Sequence, residues 1–344
     1  MGEENFLKKA FLPPHPQLSK TFKQRNDFAL QSALRFYLAI VERTMCAKTF
    51  RLKVFCVAFF QKSDKKIGYK LTTRRSEKMR IAIDGLVLRE IKSGENDKLL
   101  LVLTAKQGKI WICAKGGRSI KSQKSAICRA FTYAEFEIYE KNNRYWLSGG
   151  SPNKTFFAYN LDIDGYALAS YVTTICEEIT GEEAEAEEVL SATLNCFYAI
   201  ENKLYSIEQM KAAYELFAAA TSGFAPDLTV CARCGKSFGA SDKLWLDVMN
   251  GSLLCAECKS KTPTAESENA TVGEYETRNI FMPLDAPSLM AMRYCISAPT
   301  KRLFSFSIKN EESAELFYRA SESYLLNHLE RGFETLNFYY KIKD

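Results

Sequence analysis

The chain has 344 residues, of which 47% are apolar and 26% charged, enough to bury a sizeable core and build two or three compact units. Its eleven cysteines, with no exporting leader, fit a reducing compartment where thiols stay free or hold metal, so the expected location is the cytoplasm. The net charge of +6 conceals an asymmetry: residues 1–78 hold 17 Lys and Arg against 6 Asp and Glu, residues 79–150 hold 13 against 7, and residues 151–344 hold 17 against 28. A basic leading part on an acidic body excludes a uniformly basic polyanion binder and points to one polyanion-binding module.

Residues 1–78 show scattered Lys and Arg, a Pro14-His15-Pro16 stretch and no sustained helix or strand period. The apolar run Val54 to Phe60 is far short of the ~20 residues that span a bilayer. It also lies too deep to be the core of a signal peptide. Arg74-Arg75-Ser76-Glu77-Lys78-Met79 has the form of a translated purine-rich ribosome-binding site ahead of a start codon. The expectation is that the native protein begins at Met79, and CGN codons at both arginines would remove its motivation. The competing reading is a basic DNA-binding arm.

From Ile81 the pattern becomes that of short strands. Ile81 to Leu88, Leu99 to Thr104, Lys109 to Ala114, Phe131 to Tyr139 and Arg144 to Leu147 are apolar or alternating runs. They are parted by turn clusters at Ser93 to Asp97, Gln107-Gly108 and Lys141-Asn142-Asn143. Five short strands without a crossover helix fit an OB-like antiparallel barrel, with an SH3-like barrel as the structural rival. Between the third and fourth strands, Lys115 to Lys124 carries four cations, and no acidic residue occurs between Asp97 and Glu135. Such a loop is a phosphate-contacting strip if the barrel binds a single strand, and otherwise a solvated face that keeps the protein soluble. Trp111, Phe131, Tyr133 and Tyr145 are candidate stacking platforms, and each also suits a core.

Beyond Pro152 the period is helical. The expected helices are Tyr166 to Ile179, Glu182 to Ile200, one opened by the capping-box pattern Ser206 to Gln209 and stopped by Gly223 and Pro226, then Pro287 to Ser297 and Glu311 to Leu329. Tyr171, Phe197, Tyr198, Tyr214 and Phe217 are read as bundle core. The polar stretch between Lys261 and Asn279 is read as a flexible linker.

Cys231-Ala232-Arg233-Cys234 and Cys255-Ala256-Glu257-Cys258 are separated by twenty residues, the spacing of a tetrahedral four-cysteine zinc site. Four thiolates leave no open position for water, so the expected zinc ion, one per chain, is structural. The competing reading is a redox dithiol or two fortuitous pairs. The remaining cysteines, among them Cys113, Cys176 and Cys295, show no ligand spacing and are expected as small buried hydrophobes. An enzyme is not expected. His15 and His328 are the only histidines, and Gly235-Lys236-Ser237 mimics a P-loop end but has Val230 where the first glycine is required.

The order barrel, helical bundle, cysteine knuckles, helical tail resembles the bacterial RecO family over about residues 80–340. The strings that carry the resemblance are Asp84-Gly85-Leu86-Val87-Leu88-Arg89, Gly94-Glu95-Asn96-Asp97, Gly108-Lys109, Lys115-Gly116-Gly117-Arg118, Phe224-Ala225-Pro226-Asp227-Leu228 and the Tyr324 to Leu329 helix. The expected fold class is α+β multidomain: residues 79–150 an OB-like barrel, 151–228 helical, 229–262 an inserted four-cysteine zinc module, and 263–344 a linker and second helical part. Residues 1–78 stand outside the family pattern. The resemblance implies a non-enzymatic mediator of DNA repair and recombination at the nucleoid. It would bind single- and double-stranded DNA, anneal complementary strands, and work with RecR and the C-terminal tail of single-strand-binding protein (SSB) to load RecA. The candidate DNA-binding residues are Arg89, Lys115, Arg118, Lys121, Lys124 and Arg129. The rival from another class is a zinc-ribbon regulator or scaffold whose barrel binds protein.

Overall fold

The computed structural model describes residues 80–119, 121–122, 124–157, 162–262 and 280–343. The expectations for residues 1–78, and all but the start of the proposed linker, lie outside the described residues. The described residues all fall in one compact unit.

Five strands close a barrel: β1 (Arg80–Ser93), β2 (Asp97–Thr104), β3 (Gly108–Ala114), β4 (Thr132–Glu140) and β5 (Tyr145–Thr155), in the order β1-β2-β3-β5-β4. This is the OB-like barrel that the strand pattern predicts. Four of its seams are antiparallel, while β3 and β5 meet in parallel through Ile112 opposite Tyr145 and Cys113 opposite Trp146. Strand β3 buries every second residue, as a half-covered strand must. Strand β2 instead reads Leu99-Leu100-Leu101-Val102-Leu103 because both its faces are covered. Leu100 and Val102 fill the barrel with Phe136, Ile138 and Ile112, whereas Leu101 and Leu103 join Leu86, Leu88 and Phe131 in the core of the helical body. The β1–β2 side of the barrel is therefore packed away, and the β3, β4–β5 and loop side is left to act.

The helical body comprises α1 (Ile163–Ile179), α2 (Glu187–Glu201), α3 (Ile207–Thr221), α5 (Ala286–Ser297), α6 (Glu311–His328) and α7 (Glu334–Lys343). Ser206 caps α3 by accepting from the Gln209 backbone N–H at 3.2 Å. The Gln209 amide does not complete the predicted capping box. It donates to the carbonyls of Phe304 and Phe306 at 2.9 and 2.8 Å. Tyr171, Phe197, Tyr214 and Phe217 are core as expected, but Tyr198 is 56% exposed, because it lies on the polar flank of α2. Helix α2 also starts five residues later than Glu182. The backbone of the connector is spent on the barrel: Lys109 N–H donates to Gly181 O at 3.2 Å, Glu183 N–H to Gln107 O at 3.1 Å and Ala186 N–H to Ala105 O at 2.8 Å. Glu183 stands at φ +57°, outside the right-handed helical region, so no helix can run through it from Glu182, however helix-prone its glutamates.

Between α3 and α5 the chain forms a small sheet of β6 (Asp227–Cys231), β7 (Leu244–Asp247), β8 (Ser252–Cys255) and β9 (Phe281–Leu284), ordered β6-β8-β7-β9, with the short α4 (Ala256–Ser260) after β8. Leu244, Leu246 and Leu253 anchor it in the helical core. The Asn250-Gly251 turn is fastened by Asp247, which accepts from the Asn250 backbone N–H and side-chain amide. A Cβ on Gly251 would sit 2.6 Å from the Tyr324 hydroxyl, and its φ is +60°, so this turn needs glycine twice over.

Candidate nucleic-acid interface and metal centre

The four sulfurs of Cys231, Cys234, Cys255 and Cys258 all lie within 4.8 Å of one another. Ligands about 2.3 Å from a tetrahedral centre stand roughly 3.8 Å apart, and the Cys234 and Cys255 sulfurs are 3.8 Å apart. Each strand end delivers one thiol of a pair: β6 ends at Cys231 and β8 at Cys255. Gly235, at φ +70°, bends the first knuckle so that its N–H donates to Cys231 O at 2.8 Å. Burial pushes the Cys231 thiol up, but backbone N–H bonds from Cys255, Cys234 and Arg233 outweigh it and bring it down to about 6. Burial pushes Cys258 up to about 12, with the neighbouring thiols adding to the rise. Four thiols this close cannot all ionise without a cation among them. The donor set thus fits a thiophilic divalent metal held in a closed sphere, with no place for a reacting water.

The second constellation is at the free end of the barrel. Asn142 and Asn143, at φ +54° and +55°, make a two-residue hairpin turn in which Lys141 and Arg144 exchange backbone bonds at 2.9 and 3.2 Å. The parallel β3–β5 seam sets this turn beside the end of β3. There Lys115 Nζ stands 5.1 Å from the centre of the Trp146 ring, a cation over an aromatic face. Lys115, Tyr139, Lys141, Asn142, Arg144 and Trp146 line a cleft of about 390 Å³. Its charged lining is cationic throughout.

The remaining predicted DNA-binding residues divide into holders and free groups. Arg118 is spent on the loop itself: its guanidinium donates to Gly94 O and Glu95 O at 3.2 and 2.7 Å, and Gly116 N–H donates to Asp97 at 2.8 Å. Lys124 donates to Leu147 O at 2.9 Å. Lys121 and Arg129 are exposed and carry their charge outward. Arg89 lies apart from the loop, paired with Glu177 of α1 at 2.7 Å and 5.7 Å from the Trp111 ring centre. Of the proposed platforms, Phe131 is only 6% exposed and stacks edge-on to Phe157, Tyr166 and Phe197, so it is core. Trp111, Tyr133 and Tyr145 are half-buried.

The family model Recombination protein O N terminal matches residues 79–156, and Recombination protein O C terminal matches residues 160–337. The chain belongs to the RecO family. Relatives include the DNA repair protein RecO of Acetivibrio thermocellus, 23% identical over 254 residues that cover 74% of this chain and 94% of that one. The RecO of Caldanaerobacter subterraneus is 25% identical over 261 residues, 76% of this chain and 98% of the other. That of Alkaliphilus metalliredigens is 29% identical over 180 residues, 52% and 72%.

For this RecO-family chain, the first match ends with the barrel strands and the second spans the helices and the cysteine sheet. Family membership makes it a DNA repair protein. No described helix is long and apolar enough to cross a membrane. Sequence reasoning missed Lys141, Arg144 and Trp146 as site residues. The signal that could have found them is the pair of cations flanking Asn142-Asn143, which become neighbours of Lys115 only once β3 and β5 are known to pair.

Proposed function

We propose that this chain is a recombination mediator that binds DNA through the basic end of its barrel and acts without catalysing bond chemistry. The observation that carries the reading is the cleft of Lys115, Lys141 and Arg144 around Trp146: three cations for phosphates and a ring for a base, with no carboxylate in its lining. Lys121 and Arg129 extend the cationic surface, Arg118 and Lys124 keep the loop in shape, and Arg89 is available to a longer strand if it leaves Glu177. Binding two complementary strands at such surfaces favours annealing, because neutralised phosphates no longer repel. With RecR and the SSB C-terminal tail as partners, the same chain would help deliver single-stranded DNA to RecA in the cytoplasm. The four cysteines hold a structural zinc ion that fixes the β6–β8 knuckles and takes no part in DNA chemistry.

The test is DNA binding and annealing of complementary oligonucleotides by the wild type and by K115A/K121A/K141A/R144A. The reading expects the variant to fold normally, to bind weakly and to anneal slowly. A variant that anneals as fast as the wild type would place the DNA interface elsewhere.

A further inference from the structure

The two cysteine knuckles are not equivalent. Cys231, Cys255 and Cys258 are 1%, 6% and 7% exposed, whereas Cys234 is exposed, as is every residue from Ala232 to Lys236. Cys234 also stands outside the small apolar cluster that holds the other three thiols. Gly235 after it has nothing within 4 Å of where a Cβ would be, so the first knuckle turns through open space. The second knuckle is closed, with Cys255 ending β8 and Cys258 buried in α4. A small oxidant arriving from solvent therefore meets Cys234 first.

Which thiol answers next is a matter of geometry. The Cys234 sulfur lies 3.8 Å from that of Cys255, across the two knuckles, and a disulfide needs ~2.05 Å. The solvent-facing first knuckle can supply that movement. Cys231 is the poorer partner, since it is fixed at the end of β6 and its sulfur accepts from the Cys255 backbone N–H at 3.4 Å. The choice matters because β6 and β8 are joined thinly. They are in register only at Asp227 opposite Ser252 and Cys231 opposite Leu253, with an irregularity between. A bond between Cys234 and Cys255 ties the two strands together, while a bond within either knuckle would leave them to part.

We propose that Cys234 is a site of oxidative modification by peroxides, and that the metal cross-link is exchanged there for a Cys234–Cys255 disulfide. The proposal rests on the metal reading above and extends it to the fate of the thiolates. The Cys234 thiolate attacks the O–O bond of hydrogen peroxide, takes one oxygen to become a sulfenic acid and expels hydroxide. The Cys255 thiolate then attacks that sulfur, and a second hydroxide leaves as the S–S bond forms. Two thiolates and one peroxide thus give one disulfide and two hydroxides, with the sulfurs oxidised and the peroxide oxygens reduced. Cys231 and Cys258 alone are too few to retain an ion that takes four ligands. A thiol reductant with zinc present reverses the exchange.

The experiment uses the full chain as purified, its zinc content measured, and increasing hydrogen peroxide. Released zinc is read with a chromogenic chelator, disulfides by mass spectrometry of an alkylated, unreduced digest, and stability by calorimetry. Zinc should be released in step with the Cys234–Cys255 disulfide, and dithiothreitol with zinc should restore the starting state. The melting temperature of the oxidised chain should fall between those of the zinc-loaded chain and the reduced chain stripped by chelator. A Cys231–Cys234 or Cys255–Cys258 disulfide forming first would overturn the proposal, as would zinc retained at peroxide levels that fully oxidise the half-buried Cys113. An oxidised chain that melts no higher than the stripped one would overturn the exchange of cross-links. A purified chain without zinc at the outset would overturn the metal reading itself, an outcome distinct from these.

Discussion

The barrel and the cysteine sheet are both small β units, and they are held together in opposite ways. The barrel has a core of its own, with Val87, Leu100, Val102, Ile112, Phe136 and Ile138 enclosed within five strands. Among the described residues, the sheet around the cysteines encloses only Cys231, Leu254, Cys255 and Cys258 beyond the residues it lends to the helical core. A unit with so little apolar interior needs a cross-link or a metal. The barrel can devote its free end to charge because its stability is secured inside. The sheet devotes four cysteines to a cluster close enough to hold a metal ion, and its stability is expected to depend on that ion.

The largest expected effect follows from removing what holds the sheet. Cys255→Ser should abolish stoichiometric metal binding and lower the melting temperature, since metal binding at such a site is part of the folding free energy. Elemental analysis and calorimetry check this, and DNA binding by the barrel should largely survive. Next is Phe136→Ala, which empties the centre of the barrel. It should cost about 3–5 kcal/mol and remove DNA binding while leaving the metal in place, as chemical denaturation and metal analysis would show. If either substitution eliminated both properties, the two units would not be independent in the way their interiors suggest.

A smaller effect sharpens the contrast with the helical body, whose interior holds charge. Glu215 is fully buried. It accepts from Lys211 Nζ at 2.8 Å and Tyr171 OH at 2.9 Å. Lys211 also pairs with Glu322, which bonds Tyr340. Burial pushes the Glu215 carboxyl up to about 7, against the pull of Lys211. Because the folded state then holds its proton more tightly than the unfolded chain, this contribution is fully present below about pH 4.5. It is lost as pH rises through about 7. Glu215→Gln should flatten that dependence, so that the wild-type melting temperature falls by about 3–6 °C more than the variant's between pH 5 and pH 7.5. Parallel curves would show that Glu215 keeps its charge throughout.

The smallest stability effect is expected at the basic end. K115A/K121A/K141A/R144A should shift the melting temperature little, since these side chains are exposed or half-buried, yet weaken single-strand binding. Its salt dependence should flatten by roughly 0.7 in log-log slope for each phosphate that the variant no longer neutralises.

What could be read from the sequence was what local chemistry decides. The run Leu99 to Leu103 announced a strand, Asn142-Asn143 a hairpin turn, and the two C-x2-C pairs a metal site, because each signal lies within a few residues. What could not be read depended on partners distant in the chain. Strand β9 exists because Leu244 to Asp247 offers it a free edge, and Pro283 within it gave no strand signal. Helix α7 is a short aromatic stretch whose Leu336 and Tyr339 are buried against the rest of the helical core. The segment Glu182 to Ala186 has helical composition but is claimed by the β2–β3 turn. Even the loop cations were legible only as charges: which hold the loop and which face outward depends on carbonyls at Gly94, Glu95 and Leu147.

The central claim is that DNA meets the basic end of the barrel and leaves the acidic body alone. Amide hydrogen exchange of the full chain, with and without a saturating single-stranded oligonucleotide, tests it most directly. The account predicts added protection within residues 108–119 and 139–147, with none in α3 or α6. Protection centred on α3 and α6, with the barrel unchanged, would contradict it.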